Sequence, residues 1–184
     1  MRLPLSLLAR SPLRTARLIL QPLDETHVAP LAAMLADPVV MTHFPRPMTL
    51  PESEAWWRRT VERYARHGTG LLAVLDAATG VFLGDCGLQI RTFGGHTHLE
   101  LGYHFTREAW GHGYATEAAR ACLVAGFTDP AVTQVVALIR PENQPSQRVA
   151  RRLGMHIDGG VLHVGLVHDQ WHISREAFAG LTLQ

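Results

Sequence analysis

The stretch Trp110-Gly-His-Gly-Tyr-Ala-Thr-Glu-Ala118 joins a predicted strand over residues 97–105 to a predicted helix over Tyr114–Phe127. Small residues at Gly111 and Gly113 let a ligand approach the backbone closely. The first N–H groups of a helix lack partners within the helix and lie at its positive dipole end. This turn therefore predicts an anion-binding site, with a diphosphate group as the expected ligand.

Two common diphosphate motifs do not fit this turn. A P-loop needs GxxxxGK[ST], and the sequence contains no Gly-Lys pair. A Rossmann fingerprint needs GxGxxG, but Thr116 occupies the third glycine position and no acidic residue ends a following strand. A nucleotide-binding α/β protein, with affinity for ATP or NAD, stays open as a weaker alternative.

Outside this turn, the chain reads as helices interleaved with β-hairpins. Helices are predicted after Asp24, after the Thr49-Leu-Pro-Glu52 capping box and before Leu153-Gly154. Further strands are predicted over residues 17–23, 71–75, 81–90, 135–139, 155–157, 161–167 and 171–174. The pattern predicts an α+β fold with a mixed sheet, in which parallel pairing occurs only around Tyr114–Phe127.

Composition sets the broad class. The 184 residues carry a net charge of +1, and the arginines are spread along the chain, which argues against nucleic acid as a partner. No run of about 18 apolar residues exists, so no membrane partner is expected. We expect residues 1–13 to be an N-terminal extension, residues 14–184 to be one domain, and the localisation to be cytoplasmic. Cys86 and Cys122 form no metal-binding spacing and are predicted to be buried.

Two sequence blocks resemble the GNAT N-acetyltransferase superfamily. The superfamily loop pattern is [QR]xxGx[GA], and Gly113 and Ala115 take its two small-residue positions. Trp110 departs from the first position, but WGHGYATEA is similar to the WGxGxAxEA string of the RimJ/RimL-like branch. The second block, Asn143-Gln-Pro-Ser146 followed by the Leu-Gly-Met that ends at residue 155, resembles NxxS…xLGF. The resemblance covers roughly residues 14 to 180.

The resemblance implies a GNAT fold: a twisted, mostly antiparallel sheet flanked by helices. Strand four (residues 97–105) and strand five (residues 135–139) would splay apart and admit the pantetheine arm of acetyl-CoA. The residues that it assigns to acetyl-CoA binding are Tyr103, Phe105, Trp110, Gly111, His112, Gly113, Tyr114, Ala115, Thr116, Asn143 and Ser146. The backbone N–H of Phe105 is the expected stabiliser of the thioester oxyanion.

The resemblance also implies a direct transfer of the acetyl group to a primary amine in a ternary complex, either on a protein N-terminus or on a small molecule. Many family members use a Tyr as general acid where this chain has Ala150. Ser146 is therefore the candidate acid, and Glu100 on strand four is the candidate base. His98 and His104 share the face of Glu100 and remain rival bases.

Several alternatives stay open at this level. A non-catalytic acyl-CoA-binding or sensor protein would keep the loop without turnover. The 11 histidines match no HExxH motif and no cysteine pairing, so no metal is expected. Trp56, Trp57, Val61 and Tyr64 are expected on the apolar side of their helix. Arg58, Arg59, Arg63 and Arg66 are expected on a solvated face, with binding of an acidic substrate as the weaker alternative. A homodimer is possible through an exposed C-terminal strand.

Overall fold

The computed structural model describes residues 8–182, and this range contains eight strands and five α-helices. The strands are β1 Leu13–Arg14, β2 Leu18–Pro22, β3 Leu71–Asp76, β4 Phe82–Phe93, β5 His96–Phe105, β6 Gln134–Ile139, β7 His156–His163 and β8 Leu166–Ser174. The helices are α1 Val28–Ala36, α2 Leu50–His67, α3 Tyr114–Phe127, α4 Gln144–Arg152 and α5 Arg175–Thr182. Single 3-10 turns lie at Leu8–Arg10, Glu25–His27 and Arg107–Ala109.

All eight strands form one sheet in the order β1-β2-β3-β4-β5-β6-β8-β7. Every neighbouring pair is antiparallel except β5 and β6, which are parallel and connected through α3. Their register consists of one pair, Glu100 with Val136, so the strands separate towards Phe105. The mixed, mostly antiparallel sheet confirms the predicted fold class. Strands four and five of the resemblance are β5 and β6 here because the two-residue β1 is counted.

The hydrophobic core lies between the sheet and α3. Leu88 and Leu101 from the sheet pack with Leu123 from α3 in one buried cluster. Cys86 and Cys122 are fully buried in the same cluster, as the sequence predicted. Their sulfur atoms lie 3.9 Å apart. A second cluster joins α1 to α2 and to the segment between them, and it consists of Leu31, Met34, Leu35 and Met41 with partly buried neighbours. The two clusters stabilise the layers on both sides of the sheet.

The structure contains the predicted helix starts, but the helix after Asp24 begins later than the capping residue suggests. Glu52 accepts a hydrogen bond from the Thr49 backbone N–H at 2.8 Å, which closes the capping box that begins α2. Asp24 caps the 3-10 turn before α1, because its carboxylate accepts the Thr26 N–H at 2.9 Å. The α-helix itself begins after that turn, at Val28.

The predicted strand over residues 161–167 is wrong. The chain turns at Val164 and Gly165, so that β7 ends at His163 and β8 begins at Leu166. Val164 has a φ of 51°, in the left-handed region that β-branched residues rarely adopt. A valine therefore gives no turn signal in a sequence. Helix α5, which follows β8, was also not predicted.

The last strand is not an exposed edge. β8 pairs with β6 on one side and with β7 on the other, so the expectation that a C-terminal strand is free for a dimer contact is wrong. The reason is that the hairpin turn at Val164 brings β8 back inside β7, which becomes the edge. A homodimer itself stays a prediction.

Val61 departs from the predicted apolar side of α2. The buried residues of α2 are Ser53, Thr60 and Tyr64, Trp56 and Trp57 pack partly buried against the second cluster, and Val61 is 38% exposed. The tyrosine is held in place by polar contacts, since its hydroxyl donates to the Leu71 carbonyl and accepts the Leu23 N–H. Packing against the sheet therefore selects the face with these contacts, although Val61 is more apolar.

The chain before β2 is attached to the same sheet. Residues 1–7 of the predicted extension lie outside the described residues, and Leu8 donates its N–H to the Gly68 carbonyl at 3.2 Å. Leu13 pairs with Leu20 in β2. Within residues 8–182, no helix combines the length and the apolar character that crossing a bilayer requires.

Candidate functional site

The turn between β5 and α3 exposes a set of backbone N–H groups at a helix start. Gly111 and Gly113 have φ values of 80° and 79°, which only glycine adopts readily. Gly113 is the N-cap of α3 and provides no side chain to cap the first N–H groups. The buried hydroxyl of Thr116, in the first turn, has no hydrogen-bond partner among residues 8–182. These groups leave donors available for an anion at the positive end of the helix.

Contacts from the N-terminal strands hold this turn in place. Glu117 accepts hydrogen bonds from the Thr15 hydroxyl at 2.6 Å and from the Arg17 Nε at 2.7 Å, while Arg17 also donates to the His112 carbonyl at 3.0 Å. Burial raises the pKa of Glu117, but these hydrogen bonds outweigh it and hold the pKa below its usual value. The sequence analysis missed this tie because its partners are about 100 residues apart.

A cavity of about 490 Å³ opens at this turn, and we name it the loop cavity. The sequence-assigned acetyl-CoA residues that line it are Tyr103, Phe105, Trp110, Gly111, Gly113, Tyr114, Ala115, Thr116, Asn143 and Ser146. His112 is the exception, since it is exposed and its ring stacks on Tyr114 with 5.5 Å between centroids. Arg148 and Arg152 of α4 also line the cavity and were not singled out from the sequence.

Strand β5 turns free backbone groups towards the gap beside β6. The N–H of Thr106 donates to the Leu83 carbonyl at 2.9 Å, so these two residues form a hydrogen-bonded pair. In an antiparallel ladder such pairs alternate, and the backbone groups of Tyr103 and Phe105 therefore point away from β4. The Phe105 carbonyl accepts the indole N–H of Trp110 at 2.9 Å, which ties the turn to the strand.

A second cavity, of about 290 Å³, lies on the α2 side of the sheet, and we name it the sheet cavity. It is lined by Trp56 and Arg63 of α2, Arg91 of β4 and Glu100 of β5, among others. The two cavities share the six residues His43, Phe44, Tyr103, His104, Asn143 and Ser146, which we name the junction. A donor in one cavity and an acceptor in the other would therefore meet at the junction.

Ser146 reaches the junction from the first turn of α4. Its backbone N–H donates to the Asn143 side-chain oxygen at 3.1 Å, so that Asn143 is the N-cap of α4. The Ser146 carbonyl accepts the Tyr103 hydroxyl at 3.2 Å, and burial raises the pKa of this tyrosine. These contacts use the backbone of Ser146, and the residue lines both cavities.

His104 is held at the junction by a carboxylate that the sequence analysis missed. Its Nδ1 lies 2.8 Å from Oδ1 of Asp85, which is fully buried on the neighbouring strand. Burial lowers the pKa of His104, but the charge and hydrogen bond of Asp85, with the charge of Glu100, raise it above its usual value. Phe44 and Trp56 surround the imidazole, with ring centroids at 5.3 and 6.1 Å.

The three candidate bases occupy different places. Glu100 lines the sheet cavity, is 8% exposed, and lies 3.4 Å from the Arg91 Nε. Burial raises the pKa of Glu100, against the lowering effect of Arg91 and other nearby cations. His104 lines both cavities. His98 lines neither, and it stacks on Phe93 with 4.3 Å between centroids.

Arg63 does not lie on the solvated face of α2 where it was expected. Arg58, Arg59 and Arg66 are exposed as predicted, but Arg63 is half-buried and lines the sheet cavity. The reason is that its position on the helix turns it towards β4 and β5. For metals, the part of the chain from residue 8 to residue 182 holds no group of three His, Cys, Asp or Glu side chains placed to bind an ion.

Comparison with known proteins gives a consistent result. Residues 17–156 match the family described as "Acetyltransferase (GNAT) domain". The Bacillus subtilis (strain 168) protein YkkB is 38% identical over 151 residues, which cover 80% of this chain and 87% of YkkB. An acetyltransferase structure from Agrobacterium tumefaciens str. C58 is 26% identical with a TM-score of 0.77, covering 88% of this chain and 92% of its own. Spermidine N-acetyltransferase from Vibrio cholerae, solved with CoA and spermine, is 15% identical with a TM-score of 0.71, covering 90% and 99%.

Proposed function

This chain belongs to the GNAT acetyltransferase family, and we propose that it transfers an acetyl group from acetyl-CoA to a primary amine by direct attack in a ternary complex. The observation that carries the proposal is the junction, where two cavities meet at Tyr103, His104, Asn143 and Ser146. One cavity offers an anion site at a helix start and the other a polar chamber. Binding two substrates in contact supplies much of the acceleration for such a transfer.

The residues of the loop cavity fit acetyl-CoA. The N–H groups between Gly111 and Ala115 suit the diphosphate, and the unpartnered Thr116 hydroxyl adds a donor at the same helix start. Arg148 and Arg152 add positive charge on the opposite wall. The backbone edge of β5 suits the amides of the pantetheine arm, which would pair with it like a further strand. The CoA bound to the spermidine N-acetyltransferase supports the same ligand here.

The reaction needs one proton removed and one supplied. The neutral amine attacks the thioester carbonyl carbon, the C–S bond breaks, and the thiolate takes a proton. We assign the supply of that proton to the Ser146 hydroxyl, and the stabilisation of the carbonyl oxygen to the Phe105 N–H. Because a thiolate leaves readily, positioning at the junction contributes more than the acid does.

For the base we propose Glu100, with His104 as its rival. Burial raises the pKa of Glu100 above its usual value, which suits a carboxylate that must accept a proton from an ammonium. His104 is nearer to the donor, since it lines both cavities, and Asp85 orients its ring. The two assignments predict different effects of Glu100→Gln and His104→Asn on the pH profile.

Within the family, we propose the RimJ/RimL-like branch and a cytoplasmic setting. The proposal on the branch rests on the WGHGYATEA string from Trp110 to Ala118 and on the Asn143-Gln-Pro-Ser146 block. Members of one fold serve different acceptors, so the branch does not by itself identify the amine.

Calorimetric titration of the purified protein with acetyl-CoA, CoA and ATP tests the proposal, together with thiol release in the presence of amines. We expect saturable one-to-one binding of acetyl-CoA, much weaker binding of ATP, and acceptor-dependent release of CoA. Acetyl-CoA binding without turnover on any amine would favour the acyl-CoA sensor. Preferred binding of ATP would favour the nucleotide-binding alternative, and the absence of acetyl-CoA binding would overturn the proposal.

A further inference from the structure

The sheet cavity has an excess of positive charge. Three arginines line it, Arg63, Arg91 and Arg140, against one carboxylate, Glu100. Four histidines, His43, His104, His163 and His168, line the same cavity. A polycationic acceptor would meet repulsion here, whereas an anionic group would find complementary charge.

Two of the three arginines already have partners. Arg140 pairs with Glu142, with its Nε 3.2 Å from a carboxylate oxygen. Arg91 lies 3.4 Å from Glu100 through its Nε and 2.8 Å from the His163 Nε2 through its terminal nitrogen. Both guanidinium groups contribute to the field of the cavity and each has a partner side chain, although the buried Nε of Arg140 makes no hydrogen bond within the described residues.

The guanidinium of Arg63 forms neither a hydrogen bond nor an ion pair within the described part of the chain. Burial lowers the pKa of Arg63, and the charges of Arg91 and Arg59 lower it further. Glu100 and Glu62 raise the pKa in the opposite direction, but they do not outweigh burial and the neighbouring arginines, and the guanidinium keeps its proton. The planar group of Arg63 offers two parallel N–H donors to a planar anion.

Between Arg63 and the junction, strand β5 forms the floor of the sheet cavity. His104, Gly102 and Glu100 follow one another on the same face of β5. A Cβ on Gly102 would lie 3.2 Å from the Gln89 side-chain nitrogen and 3.3 Å from Leu71, so a side chain here would require these neighbours to move by a few tenths of an ångström. An acceptor that spans this floor has separate head and tail positions.

We propose that the acceptor is an amine that also carries a carboxylate, which Arg63 binds while the amine reaches the junction. This inference rests on the proposed function, because it identifies the acceptor class of the same transfer. One free guanidinium matches one carboxylate in a bidentate pair. The carboxylate of Glu100 in the same cavity disfavours a doubly charged phosphate, which leaves the singly charged group as the better match.

Matched pairs of acceptors test the inference in the thiol-release assay. Each pair consists of an acid and its amide: 4-aminobutyrate with 4-aminobutanamide, 6-aminohexanoate with 6-aminohexanamide, and glycylglycine with its amide. Spermidine serves as the cationic probe. We expect at least one acid to exceed its amide in kcat/KM by about tenfold or more, as a charge-assisted pair would give.

The variant Arg63→Gln should remove this preference. It should lower kcat/KM for the preferred acid by about tenfold and leave the amide within about twofold. Arg66→Gln is the matched control, because Arg66 is exposed on the same helix, and it should keep the wild-type preference. The dissociation constant of acetyl-CoA should stay unchanged in both variants, which shows that they fold.

Other results of the same experiments would contradict the inference. Three results would overturn the carboxylate inference and leave the acetyl transfer intact. The first is an equal kcat/KM for acid and amide in every pair, and the second is spermidine as the best acceptor. The third is an equal loss of kcat/KM for acid and amide in Arg63→Gln. If no amine gives thiol release, the acids are titrated calorimetrically into the protein. Binding that Arg63→Gln abolishes would then support the inference although the proposed function fails, and no binding at millimolar concentration would overturn both.

Discussion

The loop cavity and the sheet cavity meet at six residues, but they are built in different ways. The floor of the loop cavity is a contiguous turn, residues 110–116, and its expected contacts are backbone N–H groups. The sheet cavity takes its charged groups from α2, β4, β5 and the segment that follows β6, and its contacts are side chains. A backbone site tolerates changes in side chains as long as the local conformation is kept. A site made of side chains depends on each residue that contributes.

This difference explains how one fold can keep its donor and change its acceptor. The donor site is fixed by glycine conformations and by a helix start, which are properties of the fold itself. The side chains of the sheet cavity, such as Arg63, can differ between proteins of one fold. The following experiments probe the two cavities from the largest expected effect to the smallest.

The largest effect is expected at the junction, where the two cavities meet. Ser146→Ala should lower kcat about 100-fold if the hydroxyl protonates the thiolate. The dissociation constant of acetyl-CoA should change little, because Asn143 caps α4 through the backbone N–H of residue 146, which alanine keeps. Steady-state thiol release and calorimetry measure the two quantities. Gln147→Ala is the control, and a loss under threefold in Ser146→Ala would assign the acid elsewhere.

The backbone character of the loop cavity is tested at Gly113. Gly113→Val should raise the dissociation constant of acetyl-CoA about tenfold or more, since a β-branched residue at a φ of 79° strains the turn and displaces its N–H groups. Gly80→Val is a matched control, because Gly80 has a φ of 73° in an open turn outside both cavities. The two variants should lose similar stability in thermal unfolding. Equal loss of acetyl-CoA affinity in both would contradict the backbone site.

The side-chain character of the junction is tested at Asp85. Asp85→Asn removes the charge that raises the pKa of His104, so the acidic limb of kcat/KM should move to lower pH if His104 is the base. The value of kcat should fall about tenfold, because the imidazole loses its orientation. A limb that stays in place would assign the base to Glu100. Asp158→Asn is the control, since Asp158 is exposed beside His172.

The same variant has a consequence for stability. The folded pKa of His104 is raised, so its protonation stabilises the fold fully below the unfolded pKa of about 6.5, and this contribution disappears as the pH rises through the folded pKa. The free energy of unfolding in urea should therefore decrease above pH 6.5 in the wild type. This part of the decrease should be missing in Asp85→Asn, and an unchanged pH dependence would contradict the assigned pKa shift.

The smallest effect is expected at Glu117, which supports the loop cavity from behind. Glu117→Gln weakens the hydrogen bonds from Thr15 and Arg17 and should lower the free energy of unfolding by about 1 kcal/mol, a melting shift of about 2–4 °C. Acetyl-CoA affinity should fall by less than about fivefold, because the N–H groups of the turn remain. Glu62→Gln on the exposed side of α2 is the control. A larger loss of affinity than of stability would show that Glu117 shapes the turn directly.

Much of the fold could be predicted from the sequence because its signals are local. The Thr49–Glu52 capping box, the start of α3 after Gly113 and the parallel connection around α3 all follow from residues close together in the chain. The loop cavity shares this origin, since one short segment provides its glycine conformations and its helix dipole. The family resemblance rests on this segment together with the Asn143-Gln-Pro-Ser146 block, and the match over residues 17–156 agrees with it.

Other features were decided only by the tertiary structure. The turn at Val164 occurs because the β7–β8 hairpin pairs with β6, and that pairing overrides the strand preference of valine. Arg63 enters the sheet cavity although its helix is lined with exposed arginines, and Asp85 meets His104 across two strands. The physical reason is that burial, charge proximity and pKa depend on which distant segments pack together. A local sequence pattern carries the helix start, but only the packed sheet brings the side chains of the sheet cavity to one place.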